Sequence, residues 1–150
     1  MLVLFSEEFK LAKKLKVDRN FIPCVVSGDD ELYPNGIFVF NITRMIDYIR
    51  DNPHEITPEE VAVKEVPKYS SIDDSRLESI KIGEPVILAE IAPGKYNLID
   101  GHHRIEKARK LGITNLPAYR LTVRQHTKFL TEKKSYESYV EYWNDKLREN

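Results

Sequence analysis

Five consecutive residues, Asp100-Gly101-His102-His103-Arg104, carry the densest chemistry in a chain of 150 residues. A guanidinium presents a planar fork of donors that matches phosphate oxygens. An imidazole donates a hydrogen bond or moves a proton near neutral pH. Gly101 removes a side chain that would obstruct the approach of a phosphate. Asp100 has several roles open to it: orienting a histidine, accepting from a substrate hydroxyl, holding a phosphate-bound metal, or capping a helix. These chemistries converge if the run opens a helix, because the first backbone N–H groups of a helix lack internal acceptors and favour an anion. A plainer reading stands beside this one. Arg104 then makes a salt bridge to Asp100 or Glu106, and at least one of the adjacent histidines is structural.

The flanking sequence supplies that helix. Val86–Ile91 is β-prone, Ala92-Pro93-Gly94-Lys95 reads as a turn, and Tyr96–Ile99 as the returning strand of a hairpin. His102–Leu111 follows as a helix with Ile105, Ala108 and Leu111 inward, and Gly112 stops it. Pro117–Val123 returns as a strand. The motif is therefore expected in a strand–turn–strand–glycine–helix–glycine–strand unit.

Elsewhere the pattern is more local. Phe9, Leu11, Ala12 and Leu15 fit a short helix over Glu7–Leu15, and Ser27–Glu31 reads as an acidic turn. Ile37–Phe40 predicts a buried strand. Asn41 or Thr43 then caps a helix whose inward face is Ile42, Met45, Ile46 and Ile49, closed by Asn52-Pro53. Thr57-Pro58-Glu59-Glu60 has the form of a short helix start, with extended residues from Val61 onward. A further helix is expected between Ser71 and Ile80, with Ile72, Leu77 and Ile80 inward. Tyr136, Tyr139, Val140, Trp143 and Leu147 share one face of a last helix. That face covers the core, receives a partner or closes over a ligand.

Composition narrows the function classes. Apolar residues make up 41% and charged residues 31%, which suits one folded domain and not a disordered chain. No apolar run reaches the length of a membrane span, and Glu7, Glu8 and Lys10 interrupt any signal-peptide core. A cytoplasmic protein is expected. Cys24 is the single cysteine, so no internal disulfide or all-cysteine metal site forms. His54 and His126 stand apart from the His102-His103 pair, so no metal site is expected. Neither the Walker loop nor the dinucleotide fingerprint is present.

The formal net charge is -1, yet Phe21–Val66 holds nine acids against three bases. Gly101–Gln125 holds six bases, Arg104, Lys107, Arg109, Lys110, Arg120 and Arg124, against the one acid Glu106. This balance disfavours a broad nucleic-acid track and leaves room for a local anion site.

Leu98–Ile113, with the Leu116–Leu121 strand after it, resembles the signature region of the ParB/sulfiredoxin superfamily. The likeness is best over residues 61–123. It implies one α+β domain with a small mixed sheet and flanking helices, residues 1–60 being an N-terminal elaboration and 131–150 a packing helix. Sulfiredoxins carry a catalytic cysteine where this chain has His102, which disfavours sulfinic-acid reduction. Partitioning ParB proteins carry a glutamate and two arginines after the glycine, which disfavours that activity too. The aspartate–glycine–histidine–histidine–arginine run is most similar to that of the free-serine kinases. That resemblance implies nucleotide phosphates, as ATP, ADP or CTP with Mg²⁺, at Gly101, His102, His103 and Arg104. Asp100, His102 and His103 would assist transfer, together with an acid from earlier in the domain: Glu60, Glu65 or Asp73.

Three readings follow. The first is a phosphotransferase or phosphohydrolase acting on a nucleotide or phosphorylated small molecule. The second is a ParB-like nuclease or nucleic-acid-binding accessory domain. The third is a non-catalytic protein that regulates or binds a partner, or self-associates, through its last helix.

Overall fold

The structure, a computed structural model, describes residues 2–4, 12–68, 72 and 74–149. It is a mixed α/β fold with a small sheet and flanking helices. The sheet is built from β1 (Leu2–Leu4), β4 (Glu59–Ala62), β5 (Val86–Ala92), β6 (Lys95–Asp100) and β7 (Asn115–Leu121), in the order β1-β6-β5-β7-β4. β5 lies at its centre, antiparallel to β6 and parallel to β7. A separate hairpin pairs β2 (Leu32–Asn35) with β3 (Phe38–Asn41). The helices are α1 (Ile42–Asp51), α2 (His102–Lys110), α3 (Val123–His126) and α4 (Lys133–Arg148).

Every residue of β5 is buried, so the strand is covered on both faces. Alternation sorts its side chains into two cores. Val86 and Leu88 join Leu98, Ala118 and the inward Ile105 and Ala108 of α2. Ile87, Ala89 and Ile91 join Phe38, Phe40, the α1 residues Ile42, Met45 and Ile49, and the α4 residues Tyr139 and Trp143. The sheet thus separates an α2 layer from a layer made of the hairpin, α1, α3 and α4.

The expected hairpin, helix, glycine stop and return strand are all present, with Gly112 at φ +73°, but Leu111, expected inward, lies just past the helix end and is exposed. Asn41 is the cap of α1, its side chain accepting from the Arg44 N–H at 3.1 Å. Thr43 is used differently, its Oγ1 accepting from the backbone N–H of Glu31 at 2.8 Å. Ile46 departs from the expected inward face and is 41% exposed. In α4 the face of Tyr136, Tyr139, Val140 and Trp143 is buried in the core, as its periodicity predicts.

Other expectations need correction. Thr57–Glu60 starts no helix: Glu59 and Glu60 already belong to β4, paired with Ala118 and Pro117 of β7. The sheet edge satisfies that backbone, and tertiary pairing overrides the local helix-start signal. The helix expected over 71–80 is a 3₁₀ turn over Asp74–Ser79, with Leu77 as its buried residue. Of the helix expected at Glu7–Leu15, residues 7–11 lie outside the described residues, and Ala12–Leu15 is irregular. That stretch is tied to α4 instead. The Leu15 N–H donates to Asn144 Oδ1 at 2.8 Å, and Trp143 Nε1 donates to the Lys13 carbonyl at 2.9 Å.

Candidate functional site

β6 ends at Asp100, and Gly101 turns the chain into α2. Gly101 sits at φ +105°, in the left-handed region that favours glycine. A Cβ there would lie 2.5 Å from Val86 Cγ1 on β5. The space left by the missing side chain is therefore taken by the neighbouring strand, so the fold itself demands this glycine, independently of any ligand. No side chain caps α2 at Gly101, and the first N–H bonded within the helix is that of Ile105, to the Gly101 carbonyl at 3.0 Å.

Asp100 is not the helix cap. Its Oδ2 accepts from Arg104 Nη2 at 2.9 Å, and both side chains are largely buried. Arg104 Nη1 donates to the carbonyls of Glu84 at 3.0 Å and Pro85 at 2.5 Å. The guanidinium is thus fixed in place as part of the site's wall. Two of its N–H donors, Nε and the second on Nη2, have no acceptor among the described residues.

His102 stacks on Tyr33 of β2, the ring centroids 5.6 Å apart at 20°. Burial, and then the nearby His103, lower its pKa to about 4. The imidazole is neutral at physiological pH and resists protonation, so it is available as a hydrogen-bonding group rather than as a standing positive charge.

A cavity of about 290 Å³ opens at this helix entrance. The whole motif from Asp100 to Arg104 lines it, joined by Glu31, Tyr33, Arg76 and Ile80. Glu31 and Arg76 were not singled out by the sequence. Glu31 lies in the acidic turn before β2, and the Ile42 N–H donates to its carbonyl at 2.8 Å. The residue as a whole is exposed, yet desolvation at the cavity wall, followed by repulsion from Asp100, raises its carboxyl pKa. Arg104 and Arg76 oppose that rise. Two carboxylates and two guanidinium groups therefore act on one another across one cavity. The signal available in the sequence was the acidic run Asp29-Asp30-Glu31 directly before a strand; nothing local distinguishes Glu31 within it.

The expected auxiliary acids sit elsewhere. Glu60 is exposed on the edge strand β4, and Glu65 is exposed in the turn after it. Neither lines the cavity. Asp73 lies outside the described residues. Cys24 is also away from the cavity, and burial raises its thiol pKa, which disfavours a reactive thiolate.

The basic residues after Gly101 are spent largely on internal contacts. Lys107 Nζ donates to the carbonyls of Glu78 at 3.1 Å and Ile80 at 2.8 Å, pinning the 3₁₀ turn that carries Arg76. Lys110 pairs with Asp74 at 2.8 Å on the same turn. Arg109 pairs with Glu106 and donates to the Val63 and Val66 carbonyls. Arg120 pairs with Glu59 at 2.6 Å and lies over the Tyr96 ring. These positive charges therefore support the scaffold instead of forming one open basic surface.

No group of three or more His, Cys, Asp and Glu side chains among the described residues is arranged to hold a metal ion by itself. No helix among them is long and apolar enough to cross a membrane. The chain matches no protein-family model, and a comparison with curated proteins finds no match.

Proposed function

We propose that this chain is a ParB/sulfiredoxin-like cytoplasmic protein that binds a nucleotide through its phosphates and transfers a phosphoryl group. One observation carries this reading: Glu31 and Arg76, distant in sequence, meet the Asp100–Arg104 run around a single cavity at the entrance to α2. The helix entrance and the two guanidinium groups suit an anion. Arg104 is preorganised by its carbonyl contacts, so binding need not order it.

The carboxylates suit the other half of the reaction. Glu31, with its raised pKa, accepts the proton of an attacking hydroxyl or water. The oxygen–phosphorus bond then forms as the bond to the leaving diphosphate breaks. Asp100, whose pair with Arg104 uses only Oδ2, fits Mg²⁺, which is commonly held by one or two carboxylates and the phosphates of the ligand. Bound there, Mg²⁺ would neutralise charge on the phosphate oxygens. Neutral His102 and neighbouring His103 donate to phosphate oxygens or relay a proton.

The internal use of Lys107, Lys110, Arg109 and Arg120 weighs against the nuclease reading. The burial of the apolar face of α4 weighs against a partner-binding role for that face. Titration with ATP, ADP and CTP, with and without Mg²⁺, followed by product analysis, tests the proposal. Binding of at least one nucleotide is expected, with release of its terminal phosphate to water or to an alcohol. Glu31→Gln should retain nucleotide binding and lose turnover by roughly 100-fold or more. Absence of all binding at millimolar nucleotide would falsify the reading.

A further inference from the structure

The acidic run before β2 holds three carboxyl groups in a row, Asp29, Asp30 and Glu31, and the fold gives each a different place. Asp29 is exposed, and its side chain makes no hydrogen bond or ion pair among the described residues. Asp30 is turned back onto the chain. Its Oδ2 accepts from the Ser27 N–H at 2.9 Å and from Asn41 Nδ2 at 2.9 Å, with Arg44 Nε 3.5 Å away. Asn41 is fully buried, and besides capping α1 it donates to the Val25 carbonyl at 3.1 Å. Glu31 is held by its backbone instead. It continues the β2–β3 pairing one residue past Leu32 and Asn41, its carbonyl accepting from the Ile42 N–H at 2.8 Å and its N–H donating to Thr43 Oγ1 at 2.8 Å. Neither bond uses the carboxyl group, and the residue lines the polar cavity with Asp100 and Arg104.

Resting on the phosphoryl-transfer reading above, we infer that Thr43 is a positioning residue for that reaction: its hydroxyl, with Asp30 anchored behind it, holds Glu31 at the cavity in place to meet an attacking hydroxyl or water. The acidic run thus divides its labour, Asp30 as the anchor of the turn and Glu31 as the acid it presents. Thr43 can take this role because Asn41 already caps α1, which leaves the threonine hydroxyl to accept from another segment. With both sides of its peptide backbone bonded to the start of α1, Glu31 has only its own side-chain torsions left to order. A general base that had to be gathered from a loose turn at each cycle would carry that ordering cost into the barrier. Thr43 does not line the cavity, and the helix entrance and guanidinium groups that suit a phosphate do not depend on it. Its effect should therefore fall on the chemical step and not on nucleotide binding.

The test follows loss of the terminal phosphate from ATP, ADP and CTP with the full chain, circular dichroism checking that each variant folds. Thr43→Val keeps the shape of the side chain and removes the acceptor. Its kcat should fall roughly 10–100-fold while KM for the nucleotide stays within about twofold. Thr43→Ser, which keeps the hydroxyl, should recover most of the lost kcat. Asp30→Ala should lower kcat in the same way, whereas Asp29→Ala, which removes the same charge one residue away, should leave it unchanged. A merely structural hydroxyl would lower the urea midpoint of Thr43→Val and leave kcat alone. That result, or equal losses in Asp29→Ala and Asp30→Ala, overturns the inference. Glu31→Gln tells the two levels apart. If it loses turnover while Thr43→Val does not, the positioning role fails and the base stands. If it turns over like the parent, or the parent acts on none of the three nucleotides, the base reading fails first and the role of Thr43 falls with it.

Discussion

Two histidines in this molecule have their pKa lowered to about 4, and they sit in opposite kinds of place. His126 is fully buried between β5 and α4, in a closed network. Its Nε2 donates to the Glu90 carbonyl at 2.6 Å, and that carbonyl also accepts from the Tyr139 hydroxyl. The Glu90 carboxylate accepts the backbone N–H groups of Val123 at 3.1 Å and Gly94 at 3.2 Å. His102 instead lies beside a cavity, stacked on Tyr33, among groups whose charges perturb one another. A displaced pKa therefore does not by itself mark chemistry in this protein. Desolvation produces the same displacement in a sealed core and in a cavity wall; what separates them is access for a ligand and neighbouring groups with capacity to spare.

The sharpest way to break the comparison is to damage the scaffold of one histidine and spare the other. Gly101→Ala places a methyl group against Val86 at a positive φ. It should cost about 3 kcal/mol, combining backbone strain of ~1–2 kcal/mol with overpacking of ~1–3 kcal/mol. Gly112→Ala, at φ +73° with open space around it, should cost about 1 kcal/mol. Urea denaturation of the two variants measures the difference. Equal losses would mean that packing against Val86 does not set the entrance to α2.

Acid should strike the closed network next. An unfolded histidine titrates near 6.5, and native His126 near 4. Above pH 6.5 both states are neutral and stability does not respond to this group. As pH falls below 6.5, the unfolded chain binds a proton that the native chain refuses. Stability then declines, by about 3 kcal/mol on reaching pH 4, where the native imidazole also protonates. His102, which is not fully buried, contributes a smaller loss of the same sign. Urea midpoints between pH 7 and 4.5 should fall more steeply for the parent chain than for His126→Phe. Matching slopes would remove His126 as the source.

The smallest expected effect is the most specific. Inorganic phosphate in the cavity should raise the pKa of His102 and leave that of His126 unmoved, as read from imidazole proton shifts during a pH titration. The Arg76 side chain makes no ion pair or hydrogen bond among the described residues and is exposed on its pinned turn, so Arg76→Ala should abolish the His102 response with unfolding stability changed by about 0.5 kcal/mol or less. A response at both histidines, or one that survives Arg76→Ala, would place the anion elsewhere.

How much of this was legible beforehand depends on the range of the interaction. The β5–β6 hairpin, α2 with its bounding glycines, and the buried face of α4 follow from patterns within a few residues. The cap of α1 was legible as well, though Asn41 and Thr43 were equally good candidates until Thr43 proved to hold the Glu31 backbone. The Thr57–Glu60 signal pointed the wrong way because β7 offered its backbone an edge to pair with. For the acid facing the motif the sequence offers Glu60, Glu65 and Asp73, and Glu31 does not stand out, since one carboxylate in an acidic turn looks like any other until the chain closes. Similarly, the six bases after Gly101 looked like a common charge, and most became separate internal tethers.

By itself, the amino-acid sequence determined the local architecture of the motif: a strand end, a glycine and the helix that follows it. Periodicity and backbone sterics act over a few residues, and they suffice for that. Only the tertiary structure decided what surrounds the helix entrance: Val86 against Gly101, the Glu84 and Pro85 carbonyls on Arg104, and Glu31 and Arg76 across the cavity. Those relations depend on distances through space, which packing of the two layers against the sheet sets and sequence spacing does not encode.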